Sequence, residues 1–269
     1  MNEETKARIK GYLEGFIQGL IDEHKKSDLD PKDLRPIAES SSKGTIKPFH
    51  QALLPDGILV INEFERSFST KLGTTFEECA RMIASSRYAV SERGHRFKGE
   101  ISAGSTREIE RIINEIQSGG MKTPFPDLIS RVLKADSGDK TERNRILDLY
   151  LKEKSGNELF FEIKSPKPNK GQCLEATDRL LQVYAMASSP PPRIQTYYAM
   201  AYNPYGINKS EYKHSFVVQY LDLDNQVLIG KEFWDFVGGD GTYEDLLSIY
   251  QEVGREKGPD MIEQLALNY

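Results

Sequence analysis

An α/β fold, with a mixed central sheet of about five strands flanked by helices, is what this sequence predicts. Three observations carry that expectation. Two apolar, β-prone runs, residues 146–151 and 159–164, are joined by the polar break Lys152–Asn157 and read as a hairpin. Apolar residues recur at helical spacing in at least three other stretches, residues 3–26, 105–118 and 170–187. Further strand-like runs at 194–202 and 215–221 follow the hairpin, so that the two periodicities are interleaved along the chain.

Taken in order, Ile9, Leu13, Phe16, Ile17, Leu20 and Ile21 place residues 3–26 on an amphipathic helix. Gly11, Gly15 and Gly19 recur on it, a costly choice in a helix interior. They fit close packing against a neighbouring helix or a subunit contact, and the charges on the segment exclude membrane dimerisation. Residues 27–57 are punctuated by Pro31, Pro36, Pro48 and Pro55 and read as loop. Residues 57–62 are a candidate strand. Thr74 or Thr75 caps a helix running to about Arg87, with Glu77 and Glu78 in its first turn as simple capping acids or as acids approaching a metal from the helix.

Residues 85–105 form a polar, basic, loop-like segment in which Arg87, Arg93, His95, Arg96 and Lys98 suit phosphate contacts. Ser105 and Glu108 form a capping box for the next helix, which Gly119 and Gly120 end. A short helix follows at 127–134 with Asp127 as its cap. After the hairpin, Pro166 and Pro168 stop the second strand, and Asn169 to Gln172 open a helix to about Ala187. Lys167 and Lys170 extend the cationic character there, and Asn169 joins them as a candidate DNA contact. The loop 203–214 is long for a strand connection and carries Asn203, Tyr205, Asn208, Lys209 and Lys213, types that read base edges and phosphates. The fifth strand is either 57–62 or 226–230. Lys231–Val237 packs, Thr242 caps a helix at 243–257, and 259–269 forms a C-terminal helix. The whole reads as one domain, residues 1–269, with an N-terminal helix and loop region (1–57), a core (58–258) and the terminal helix.

Composition narrows the class. With 38% hydrophobic and 29% charged residues the chain is an ordinary globule. A net charge of −5 does not advertise nucleic-acid binding, and a local basic cleft matters more than the sum. Cys79 and Cys173 offer neither a disulfide framework nor metal-ligand spacing and fit a cytoplasmic location. No apolar run is long enough to span a bilayer.

The chemistry gathers on the hairpin. Glu162 and Lys164 are two apart on a strand and share a face. If the turn centres on Ser155, Asp148 lies opposite Glu162 and the two carboxylates converge. Paired carboxylates suit a hard divalent cation such as Mg²⁺, and Lys164 then holds a water or stabilises charge on a phosphate. Gln172, opening the next helix, is placed to hold Lys164 or a phosphate. A one-residue change of register would turn Asp148 to the other face, so Asp127, which follows Pro126, stays open as the first ligand, with Glu78 and Glu77 as further alternates. The bland reading is an edge hairpin with solvated charges.

An Asp on one strand and Glu-x-Lys on the next resembles the PD-(D/E)xK nuclease superfamily. Three blocks together, ERSFSTKLGTTFEE (65–78), LFFEIKSPKPNKGQ (159–172) and AYNPYG (201–206), resemble type II restriction endonucleases of the TdeIII kind. The resemblance implies a PD-(D/E)xK restriction-endonuclease-like core and a Mg²⁺-dependent homodimer that cuts both strands of duplex DNA at a short palindrome, with Asp148, Glu162 and Lys164 as catalytic residues. It also implies a GC-containing site, such as GGNCC, and a cognate DNA methyltransferase. No Pro precedes Asp148, which departs from the superfamily pattern. The competing functions are a structure-specific repair or junction nuclease and a non-catalytic nucleic-acid-binding module on the same fold.

Overall fold

The structure, a computed structural model, describes residues 1–24, 47–187, 190–191 and 193–264. Its elements are α1 (Glu3–His24), α2 (Pro48–Leu53), α3 (Asp56–Ala84), β1 (Val90–Ser102), α4 (Ala103–Gly119), α5 (Phe125–Lys134), β2 (Lys140–Lys152), β3 (Glu158–Lys164), α6 (Lys170–Met186), β4 (Ile194–Met200), α7 (Ser215–Tyr220), β5 (Val227–Ile229), α8 (Lys231–Gly238) and α9 (Thr242–Gln264). Contacts divide the chain into two compact units, one of Met1 with residues 76–245 and one of residues 2–75 with 246–269.

The larger unit holds a five-stranded sheet in the order β1-β2-β3-β4-β5, so the expected mixed α/β sheet is present. β1 and β2, and β2 and β3, pair antiparallel, while β3–β4 and β4–β5 are parallel. The predicted hairpin is there, in the predicted register: Leu149 faces Phe161 and Leu151 faces Leu159 about a turn at Ser155. The fifth strand is the 226–230 alternative. One sheet face buries Phe160 and Tyr198 with Leu180, Leu181 and Val183 of α6, in a core that also takes Ile112 of α4 and Val132 of α5. On the other side Phe161 meets Phe233 and Phe236 of α8, with ring centroids 6.0 and 6.2 Å apart. Both faces of β3 are therefore apolar, and Glu162 is buried at the end of a hydrophobic strand.

In the smaller unit α1 buries Ile9, Leu13, Ile17, Leu20 and Ile21 as the helical spacing predicts. Lys10 of α1 reaches Glu252 and Glu256 at 2.6 and 2.8 Å. The glycine stripe does not mark a tight helix contact among the described residues. A Cβ at Gly11, Gly15 or Gly19 would meet no atom within 4 Å. Most of the expected 27–57 loop, and residues 265–269 of the expected terminal helix, lie outside the described residues. The described part of α9 runs unbroken past Pro259.

Several local expectations are corrected. Residues 57–62 are helical, the first turns of α3, which runs unbroken from Asp56 to Ala84. Neither Thr74 nor Thr75 caps anything. α3 passes through them, and both hydroxyls donate back to helix carbonyls, Thr75 to Leu72 at 2.7 Å. Much of the basic segment 85–105 is a strand, not a loop. Its weak local propensity is overridden by pairing with β2 along its length, and His95, Phe97 and Ile101 turn inward in alternation. The cap of α4 is Ser102, three residues before the expected Ser105. Its Oγ accepts from the Ser105 and Ser137 amides, both at 3.1 Å. Asp127 lies in the first turn of α5, whose N-cap position is Pro124. Residues 215–220 are a helix: Val217 and Tyr220, three apart, are the buried pair.

Candidate active site

β2 is longer than its partner β3. Residues 149–152 pair with β3, whereas residues 140–147 pair with β1 alone. The chain parts at Asp148. On the β1 side the paired positions skip from Arg93↔Leu149 to His95↔Leu147 across Gly94, whose φ of 62° is a left-handed value that a side chain there would resist. With its backbone released from the ladder, Asp148 turns its side chain across to β3, and its Oδ2 accepts from the Ile163 amide at 2.7 Å.

That places the expected charges together. Lys164 Nζ donates to Asp148 Oδ2 at 2.9 Å. It also lies 2.9 Å from Glu162 Oε2, as an ion pair without hydrogen-bond geometry, so this fully buried oxygen has no hydrogen-bond partner. Burial, then the Asp148 charge, push the Glu162 carboxyl above its usual range, against the pull of Lys164 and Arg179. For Lys164 burial works downward, but the Asp148 and Glu162 carboxylates outweigh it and hold the ammonium above its usual value. Lys164 is therefore a stable cation and a hydrogen-bond donor.

Glu77, near the end of α3, is held by Arg93 Nε at 3.2 Å. Its carboxyl is raised first by burial and next by the charge of Asp148, with Lys164 and Glu162 also felt, so it shares the field of the cluster. Glu78 faces Arg81, with an oxygen 2.5 Å from Nη2. Of the two α3 acids, Glu77 feels the charges of Asp148, Lys164 and Glu162, while Glu78 is engaged by Arg81. Asp127 lies in the first turn of α5, a separate element from those that carry the cluster. Gln172 is at the third position of α6, where its Oε1 accepts from the Asn169 amide and Asn169 Oδ1 accepts from the Gln172 amide. This capping box, rather than Gln172 itself, brings α6 in behind Lys164.

Sequence reasoning missed Arg179. It approaches from α6, with Nη1 3.4 Å from Glu162 Oε1 and Nη2 2.6 Å from Glu175. The sequence carried little signal for it, since Asp178 beside Arg179 and Glu175 one turn before it already offer that cation local carboxylates.

The donor set fits a hard divalent cation: two side-by-side carboxylates, one of whose buried oxygens lacks a hydrogen bond. Among the described residues no group of three His, Cys, Asp or Glu side chains forms a ready ligand set.

Residues 1–254 match the family model described as "Type II restriction endonuclease, HinfI". The chain belongs to the HinfI family of type II restriction endonucleases. It is 41% identical to the type II restriction enzyme HgiCII of Herpetosiphon aurantiacus over 98% of this chain and 99% of that one. It is equally similar, at 41%, to HgiEI from the same organism, again over 98% of this chain. A more distant likeness, 24% over 85% of the chain and 67% of the relative, is to the type II restriction enzyme MjaII of Methanocaldococcus jannaschii. The restriction-endonuclease resemblance is thereby met, and HinfI is the family the match specifies. Enzymes of this class are site-specific deoxyribonucleases acting on double-stranded DNA, and in general use a divalent metal. The five-stranded mixed sheet agrees with a PD-(D/E)xK-like fold. Among the described residues no helix is long and apolar enough to cross a membrane.

Around the site of this HinfI-family chain the other expected residues fall into three groups. Arg96 and Lys98 are exposed on β1, paired with Ile146 and Asn144 of β2. Arg93 is instead occupied by Glu77, and His95 is stacked on Tyr150 at 4.1 Å with its Nδ1 on Glu92 at 2.6 Å. Arg87 is exposed just before β1. The second group is the 203–214 loop, which is tied to the segment after Lys164. Tyr212 donates to the Pro166 carbonyl at 2.5 Å, and His214 Nε2 lies 2.9 Å from the Pro168 carbonyl. Lys167 and Lys213 both stand over the Tyr205 ring, 5.5 and 5.7 Å from its centroid. The third group is structurally committed. Lys209 donates to the Val227 carbonyl, Lys170 to the Gln117 carbonyl, Asn203 to the Asn208 carbonyl, and Asn169 caps α6.

Proposed function

We propose that this endonuclease is a Mg²⁺-dependent homodimer, residues 1–269 acting as one catalytic unit, that hydrolyses both strands of duplex DNA at a short palindrome. The observation that carries it is the meeting of Asp148, Glu162 and Lys164 at the point where β2 leaves β3. Asp148 and Glu162 would hold the cation, with Glu77 as the nearby acid that completes its charge balance. When bound, the ion polarises a phosphoryl oxygen and makes its water a stronger nucleophile at neutral pH. Lys164, a donor held between the two carboxylates, orients the attacking water or neutralises a non-bridging oxygen. Arg179 anchors Glu162 from behind. Asp127 and Glu78 fall outside this arrangement, and Gln172 acts by capping α6.

Arg96 and Lys98, with Arg87, give the phosphate backbone its purchase; Lys167, Tyr205 and Lys213, joined by cation–π contacts on a tethered loop, are the choice for reading bases, where a lysine suits guanine O6 and N7. That favours a GC-containing site such as GGNCC. A C2 dimer supplies one active site per strand, and its symmetry imposes palindromy. The enzyme works in the cytoplasm, beside a cognate methyltransferase that protects the host's own sites.

Plasmid DNA incubated with the protein and Mg²⁺, with the ends sequenced and the complex sized by sedimentation, tests this. Discrete fragments with one common palindromic end, from a dimer on DNA, are expected. Cutting at forks or junctions irrespective of sequence would favour a repair nuclease, and binding without any cutting would favour a non-catalytic module.

A further inference from the structure

Beyond Asp148 the site opens into a groove of about 550 Å³ between β2 and α6, which the reaction described so far leaves unused. Arg145 lines it from β2, and Asp178 and Arg179 from α6. A second recess of about 260 Å³ shares Arg145 and Asp178 and continues toward Arg143. Two guanidinium groups thus line the groove from β2 and from α6, together with Asp148.

Their hydrogen bonds differ. Arg179 is held by Glu162 and Glu175. Arg145 donates from Nη1 to the Asn144 carbonyl at 3.1 Å, but its Nε is buried with no hydrogen-bond partner. The carboxylate lining both recesses, Asp178, already accepts from Gln182 Nε2 at 2.7 Å. A buried donor left without an acceptor is costly, and native structures rarely keep one without a use. A guanidinium edge beside a metal-type carboxylate pair is shaped for one anion above others, the phosphodiester, whose paired oxygens match its fork. Arg145 stands three residues from Asp148 along β2, about 10 Å at ~3.3 Å per residue. An extended arginine covers the separation between the cleaved phosphate and its neighbour on the same strand.

We propose that Arg145, with Arg179 lining the same groove, binds the DNA phosphate next to the one that is cut. The inference rests on the endonuclease reading above. The contact positions the strand and reads no sequence.

The test uses duplexes carrying the cleavage site found by plasmid digestion, with a single neutral methylphosphonate placed in turn at each phosphate flanking the cut. Binding is measured in Ca²⁺ and cleavage in Mg²⁺. One substitution should weaken the wild type roughly ten- to a hundredfold, the range for a hydrogen bond to a charged group. The same substitution should add nothing further in Arg145→Gln, whose salt dependence of binding should flatten by about one phosphate contact. Arg145→Lys, which keeps the charge, should lie between and carries the comparison if the Gln variant does not fold. Penalties that multiply in full at every flanking phosphate overturn the proposal. So does recovery of wild-type cleavage by Arg145→Gln/Asp178→Asn, because Arg145 would then serve only to balance Asp178. Failure of the endonuclease reading shows separately, as absence of cutting of any unmodified duplex by the wild type, and removes both.

Discussion

Replacing Glu162 by Gln should disable the enzyme while making its metal-free form more stable. The side chain is fully buried, and its carboxyl is pushed upward by burial and by Asp148, so the metal-free fold disfavours the ionised form. An amide of the same shape removes that cost. Each pKa unit the site has added returns about 1.4 kcal/mol, roughly 3 to 5 °C of Tm in a chain of this length. The cations are not stranded by the change: Lys164 keeps Asp148 at 2.9 Å and Arg179 keeps Glu175 at 2.6 Å. The large penalty of breaking a buried ion pair is thereby avoided. Cleavage should nevertheless fall by about a thousandfold or more, since several kcal/mol of transition-state charge stabilisation depends on that oxygen. Thermal denaturation with EDTA and with Mg²⁺ reads both halves: the variant should melt higher than wild type in EDTA and gain less from Mg²⁺. A variant that melts lower in EDTA, or that keeps wild-type cleavage, would refute the reasoning about this buried carboxylate.

Lys164→Ala should abolish cleavage and leave specific DNA binding within a few fold, because register comes from contacts elsewhere; gel-shift titration beside a cleavage assay checks it. Asp148→Asn should abolish cleavage and Asp127→Asn should leave it near wild type, and the two assayed together decide the first metal ligand. In the metal-free protein, raised carboxyls at Glu162, Glu77 and Asp178 favour the native state when protonated. Their contribution is present below the ordinary carboxyl range and is lost as pH rises through the raised values, so denaturant midpoints in EDTA should decline across that window. A midpoint that climbs throughout it would contradict the directions given. DNA affinity should fall steeply with salt despite the acidic net charge, as a log–log titration would reveal; a flat response would count against phosphate contacts.

The hairpin and its chemistry were legible because they are local. Two short apolar runs flank the Lys152–Asn157 break, and a turn centred on Ser155 sets Asp148 against Glu162; the one step left open was the register itself, because both faces of β3 are apolar and no alternation fixes it. What failed depended on distant partners. β1 is a strand because β2 lies beside it, and its own composition, rich in Arg, Ser and Gly, argues for a loop. The 57–62 segment is β-prone in composition but forms the first turns of the long helix α3. The capping box expected at Ser105 was misplaced by three residues because Ser102 also bonds the Ser137 amide, from a loop far along the chain. At the site, the sequence could name the acids on α3 but could not say that Arg93 would hold Glu77 there. Nor could it say that Arg179 would close over Glu162.

The tether between the 203–214 loop and residues 165–169 has an evolutionary side. Tyr212 and His214 bond to the carbonyls of Pro166 and Pro168, immediately beyond Lys164. A surface loop free of such bonds could drift or be exchanged without touching the chemistry. This one cannot: a substitution that reshapes it pulls on the strand end that aims the ammonium. Changes in what the loop contacts must therefore arrive with compensating changes in 165–169, and a loop transplanted alone should arrive inactive.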